Sequence, residues 1–202
     1  MQMDYIFDEK CTWLVSVIDP SGHTLITQVN GKGTEEARTA LKDQVKQYDA
    51  YDITVKVAQC DSEGSFGKIG VDFKEWIKGG DMMVFPRGNH MSLIDSVVRR
   101  IKIKVRSWRA TLSFLFIGGT ILSGLYTAAV SSLNMLATSH NPGDQSPFAM
   151  LTGEKADLAK IFKQMPGDMA EASNEELQMN RTGTFRSQSM IALYKPQFQT
   201  HI

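Results

Sequence analysis

Four histidines, two cysteines and several paired acids are the residues of this 202-residue chain whose types could do chemistry. His23, His90, His140 and His201 stand far apart, and there is no HExxH, no paired-cysteine motif and no His-rich tract. A metal site of the usual local spacing is therefore not expected. Gly31-Lys32-Gly33 and Gly64-Ser65-Phe66-Gly67-Lys68 resemble phosphate loops at first glance. The first lacks a strand-to-helix lysine, and in the second no Ser or Thr follows Lys68. Ser65 does not sit in a GxSxG elbow. Glu35 with Glu36, and Glu175 with Glu176, fall at helix starts or on wet faces, where solvation explains a charge. The sequence thus assigns no catalytic, cofactor-binding or metal-ligating residue, and the chain is expected to be non-enzymatic. Asn180-Arg181-Thr182 is a glycosylation sequon.

The strongest pattern is an absence of charge. No Asp, Glu, Lys or Arg occurs from Ala110 to Gly143, and the window is entered through Arg99, Arg100, Lys102, Lys104, Arg106 and Arg109. Ser113 to Ala137 is long enough to cross a hydrocarbon core of about 30 Å as a helix. The alternative, a buried helix in a globular protein, would show polar positions at helical spacing on one side. The expectation is one transmembrane helix over 112–137, with Trp108 at the interface and the bases holding the N-terminus in the cytoplasm. MQMDYIFDEK carries no cleaved-signal pattern. Within the span, Thr120, Gly124, Ala128 and Ser131 form a small-residue stripe suited to helix packing. Arg99, Arg100, Lys102, Lys104, Arg106, Trp108 and Arg109 are expected at the membrane surface, on anionic headgroups.

The elements around this span are read from turn and period signals. Thr12–Asp19 and His23–Val29 make a hairpin about the Asp19-Pro20-Ser21-Gly22 turn. Thr34 with Glu35 and Glu36 starts a helix to Tyr48 that buries Ala37, Leu41, Val45 and Tyr48. Asp52–Cys60 alternates as a strand. The fold class expected is α+β: a cytoplasmic β-β-α-β domain over 1–62, a Gly-rich linker over 63–90 with a short helix at Val71–Ile77, and a basic amphipathic helix over 91–111. The transmembrane helix follows, then an external tail over 138–202 with two short helices. That tail's helices are read over Gly153–Met165 and Met169–Met179. Cys11 and Cys60 are expected to be buried or idle thiols.

Equal numbers of acids and bases give no argument for a nucleic-acid protein. The basic run is explained by the membrane beside it, and no nucleic-acid partner and no cofactor are expected. Negative chemistry, with three segments each incomplete alone, points to a single-pass structural subunit of an envelope assembly of the secretion or conjugation kind. Its partners would be other membrane-complex subunits, anionic lipid and possible further copies of itself. A viral or organellar membrane-complex component, or a membrane-anchored ligand-sensing domain, are the alternatives.

Overall fold

The computed structural model describes residues 1–31, 33–62, 64–77, 79–86, 91–112, 117–139, 141–155 and 157, with two short strand pieces at 169–170 and 190–191. Five strands form one sheet: β1 (Gln2–Asp8), β2 (Cys11–Ile18), β3 (His23–Val29), β4 (Val57–Asp61) and β5 (Asp81–Phe85). Their order across the sheet is β3-β2-β1-β4-β5. The three N-terminal strands run antiparallel as a meander, and β4 and β5 join parallel to β1. Parallel neighbours need crossovers, which α1 (Thr34–Asp49) and α2 (Gly64–Trp76) provide. A helix α3 (Ser92–Thr111), a helix α4 (Gly119–Met135) and the short α5 (Pro147–Thr152) follow. Met169–Ala170 (β6) and Met190–Ile191 (β7) pair antiparallel.

Period-two alternation divides the side chains of the sheet between two apolar layers. Met3, Tyr5, Leu14, Ala58 and Cys60 point to the layer built by α1 and α2, with Leu41, Tyr48, Phe66, Ile69 and Phe73. Ile6, Trp13, Val15 and Val17 point to the layer built by α3 and α4, with Ile94, Ile101, Leu122, Leu125 and Ala129. The hairpin turn closes on Gly22, whose φ of 71° is readily available only to glycine, and its N–H donates to the Ile18 carbonyl at 2.8 Å.

This mixed α/β domain corrects the expected α+β class, and the membrane reading falls with it. Among the described residues no helix is long and apolar enough to cross a membrane. The uncharged window is two pieces rather than one. α3 ends at Thr111, the backbone is extended at Leu112 and again at Gly118, and α4 is a separate helix of 17 residues. The single-pass membrane protein, and its placement in a membrane with a cytoplasmic N-terminus, are corrected by this finding. The physical reason is that α4 lies between the sheet, α3 and α5, so charge is excluded from most of its circumference by protein. Its polar groups are uncharged and satisfied instead. The Ser132 hydroxyl donates to the Ala129 carbonyl at 2.8 Å, and Asn134 bonds to β3.

The apolar side of the amphipathic helix expected over 91–111 buries Ile94, Val97, Val98, Ile101 and Val105 against β1 and β2. β1, β5 and the short α5 have no counterpart in the elements expected from sequence. The glycine-rich stretch after Ser62 is α2 over most of its length. Of the tail helices, the one expected over Gly153–Met165 falls mostly outside the described residues. The one expected over Met169–Met179 does so beyond Ala170, as does the sequon.

Candidate functional site: paired carboxylates at the switch between β1 and β4

The chain leaves β1 toward β2 and β3 on one side, and returns through β4 and β5 on the other. In open α/β sheets such a reversal opens a crevice at the carboxyl ends of the strands, where side chains converge on a ligand. Here that position lies between β1 and β4. Gln2 stands opposite Gln59 in the parallel register, and the Gln59 N–H donates to the Met1 carbonyl at 2.9 Å. The same register carried two residues along each strand places Asp4 across from Asp61, both half-buried and on one face of the sheet. The Tyr5 N–H donates to Asp4 Oδ1 at 2.7 Å. Asp61 ends β4, and β1 continues past it to Asp8 with β2 as its partner.

A polar relay ties the start of α3 to this point. Gln2 Nε2 donates to Gln59 Oε1 at 3.1 Å, and the Ile94 N–H donates to Gln2 Oε1 at 3.1 Å. The next residue, Asp95, is an exposed acid in the first turn of α3, where the helix dipole favours negative charge. Asp4 and Asp61 thus lie on neighbouring strands, and Asp95 follows the residue that is tied to Gln2. None of the three stands without a partner. Among the described residues, no three His, Cys, Asp or Glu side chains are close enough together to hold one metal ion. Burial, and secondarily the Asp61 charge, push the Cys60 thiol up to about 12, which keeps it neutral and unreactive. Cys11 is a half-buried free thiol.

A second acidic group is structural. Asp8 and Glu9 leave β1 to meet Arg109 at 3.2 and 2.5 Å, fastening the end of α3 to the β1–β2 turn. The Tyr126 hydroxyl donates to Asp8 Oδ2 at 2.9 Å, and its ring stacks on buried Trp13 with centroids 4.2 Å apart. Burial, reinforced by Asp8, raises the Tyr126 pKa, so this hydroxyl stays a donor.

The bases assigned to a membrane surface lie along α3. Arg99, Arg100 and Arg106 are exposed, Lys102 and Lys104 half-buried, and exposed Ile103 lies among them. Of the six bases, Arg109 alone has an ion pair among the described residues. Lys104 stands 5.5 Å from the Trp108 ring centroid, and burial with Arg100 nearby lowers its pKa. The expected helix-packing stripe is split: Thr120 is exposed, Gly124 half-buried, and Ala128 and Ser131 are buried inside the domain. His23 is buried; the other histidines lie outside the described residues. Gly64 to Lys68 opens α2, with Phe66 fully buried.

The sequence matches no protein-family model, and no curated protein is similar to it. Solved structures do resemble the fold. The catalytic core domain of BIV integrase superposes with a TM-score of 0.57 at 13% identity, covering 75% of this chain and 92% of that one. At such identity the likeness is one of fold. Sequence reasoning missed Asp4, Asp61 and Asp95 because they share no local motif. The available signal was the alternation of Gln2, Asp4, Ile6 and Asp8 against Met3, Tyr5 and Phe7, which marks a strand and aligns two acids on one face.

Proposed function

We propose that this domain binds nucleic acid and carries out divalent-cation-dependent phosphoryl transfer on its phosphodiester backbone. The observation that carries the reading is the placement of Asp4 and Asp61 on adjacent parallel strands at the topological switch. Asp95, in the first turn of α3, is a further acid on the neighbouring element. Their chemistry suits a hard divalent cation, which takes carboxylate oxygens. Among the described residues the three acids do not close on one ion, so Asp4 and Asp61 are the pair that would hold it. A bound ion would polarise a phosphoryl oxygen and lower the pKa of an attacking water. The protein's own part is to hold the carboxylates, with Gln2 and Gln59 bracing them, and to seat the polyanion on Arg99, Arg100 and Arg106. Each phosphate neutralised there releases counterions and adds affinity without reading sequence. The fold shared with an integrase catalytic core supports the same class of reaction. The envelope-subunit role expected from sequence leaned on a membrane crossing, and no observation now favours it.

The test is cleavage or strand transfer on a labelled DNA duplex by the full chain, without detergent, in Mg2+ or Mn2+. Asp4→Asn and Asp61→Asn each abolish turnover while melting like the parent, and Asp49→Asn, an exposed change on α1, leaves it intact. Turnover that survives Asp4→Asn and Asp61→Asn, or a parent inactive with both metals, removes the proposal.

A further inference from the structure

β3 is an edge strand, and its outward backbone is closed at one place only among the described residues. The Thr24 N–H donates to Asn134 Oδ1 at 2.9 Å, and Asn134 Nδ2 donates to the Thr24 carbonyl at 2.8 Å. The Asn134 amide therefore does for Thr24 what a neighbouring strand would do. In an antiparallel ladder outward-facing residues alternate, so Ile26 and Gln28 also turn their N–H and carbonyl groups away from β2. Beside them, between β3 and α1, runs an open groove of about 410 Å³. Gln28 and Asn30 line one wall, and Glu35, Glu36, Thr39 and Asp43 the other. All six are exposed. Arg38 pairs with Glu35, and Lys46 approaches Asp43 at 3.9 Å, while Glu36 has no ion-pair partner among the described residues.

We propose that this edge docks an extended segment of a partner protein, with Lys or Arg at alternate positions, which adds to the sheet beside β3. Main-chain bonds to Ile26 and Gln28 supply affinity, and side chains that alternate between the two faces supply choice. On the α1 face they meet Glu35, Glu36 and Asp43, which selects bases. On the other face they meet half-buried Ile26, which selects apolar residues. A second copy of this chain is a poor occupant, because pairing β3 with β3 sets two acidic α1 rims against each other. The register ends where Asn134 covers Thr24, which confines the docked strand to the Ile26–Asn30 half of the edge.

The probe is a fluorescent Thr-Lys-Val-Lys-Val-Lys-Thr peptide, titrated into the full chain at about 50 mM salt, where surface charge is weakly screened. A peptide with Glu in place of Lys and one with the same residues scrambled serve as comparisons. Saturable binding of the alternating peptide is expected, with slowed amide exchange at Ile26 and Gln28. Gln28→Pro removes an edge N–H that the sheet does not use, and should weaken binding about tenfold or more. Glu36→Lys combined with Asp43→Lys does so without touching the backbone, which keeps the test intact should the proline variant misfold. Equal binding of the Glu or scrambled peptide, or unchanged binding to the charge-reversed variant, overturns the proposal. So does a parent dimer that Gln28→Pro turns into a monomer. Cleavage of DNA plays no part in these readouts.

Discussion

Asn134→Leu separates the two readings of the uncharged window, because they assign it opposite signs. In a membrane span the change removes a polar amide and improves the helix. In the folded domain Asn134 is 6% exposed, Thr24 is 1% exposed, and the amide makes two bonds of 2.9 and 2.8 Å to the Thr24 backbone. Leucine leaves a buried N–H and a buried carbonyl with no partner. Each such group costs about 1–3 kcal/mol, so the expected loss is roughly 2–5 kcal/mol, offset in part by the added apolar surface. For a chain of this size about 3 kcal/mol corresponds to a fall in Tm of roughly 6–12 °C. Asn134→Asp is a graded control, since it keeps an acceptor for the Thr24 N–H but sets an oxygen against the Thr24 carbonyl. The assay is a urea melt of the full chain in detergent-free buffer, followed by the fluorescence of Trp13, which is buried in the layer that α4 completes. A loss below about 1 kcal/mol would mean that water replaces both bonds, and would refute the role given to Asn134 as cover for the β3 edge.

Three further outcomes follow from the same geometry. Burial pulls the His23 pKa from 6.5 down to about 4; the unfolded chain then binds a proton that the folded chain refuses, so stability falls as pH drops from about 6.5 to about 4, by about 3 kcal/mol in all. His23→Phe should flatten that limb of a stability–pH curve, and an unchanged slope would exclude His23 as its source. Arg99→Ala and Arg106→Ala should each reduce the slope of log affinity for DNA against log salt by about one, equally for unrelated sequences; unchanged slopes would take α3 off the nucleic-acid surface. Mg2+ at tenfold its Kd should add about 1.4 kcal/mol of stability to the parent, and a calorimetric scan in which Asp61→Asn gains as much would place the ion elsewhere.

What sequence makes legible here is local. The hairpin has a turn of the right chemistry, α1 carries its apolar residues at helical spacing, and α3 carries a stripe that is buried as read, though against a different surface. What it hides is the strand that gathers the rest. β1 mixes Gln2, Asp4 and Asp8 into its alternation, and a central strand with acids on one face looks like a polar leader until β4 is laid beside it. Missing β1 removed the site as well as the sheet centre, because Asp4 and Asp61 are 57 positions apart and meet only through the Gln2–Gln59 register. The opposite error at 112–137 has a related cause. Hydropathy records that a helix lacks charge, but a helix enclosed by a sheet and other helices lacks it for the same reason as one enclosed by lipid. Ser131, Ser132 and Asn134 distinguish the two cases only once their partners are known.

Under the proposed function the basic run and the acidic group share one explanation. Three carboxylates drawn to a common point repel one another, and in a partly buried crevice that repulsion is poorly screened. Among the described residues the three do not form one cluster, and none of them stands without a partner. A bound divalent ion would reverse the sign of the local field at the Asp4–Asp61 pair. A polyanion faces the same problem from outside: acids at the crevice would turn it away unless positive charge stood close by. Arg99 lies one helical turn beyond Asp95 on α3, with Arg106 two turns further, so the element that brings the third acid also brings the charge that offsets it. This predicts that the two features are coupled. Reversing Arg99 to Glu should weaken Mg2+ binding little but abolish DNA binding in its absence, whereas Asp95→Asn should strengthen metal-free DNA binding while weakening the response to Mg2+. Isothermal titration of both variants decides it, and Asp95→Asn with both affinities unchanged would detach α3 from the carboxylate pair.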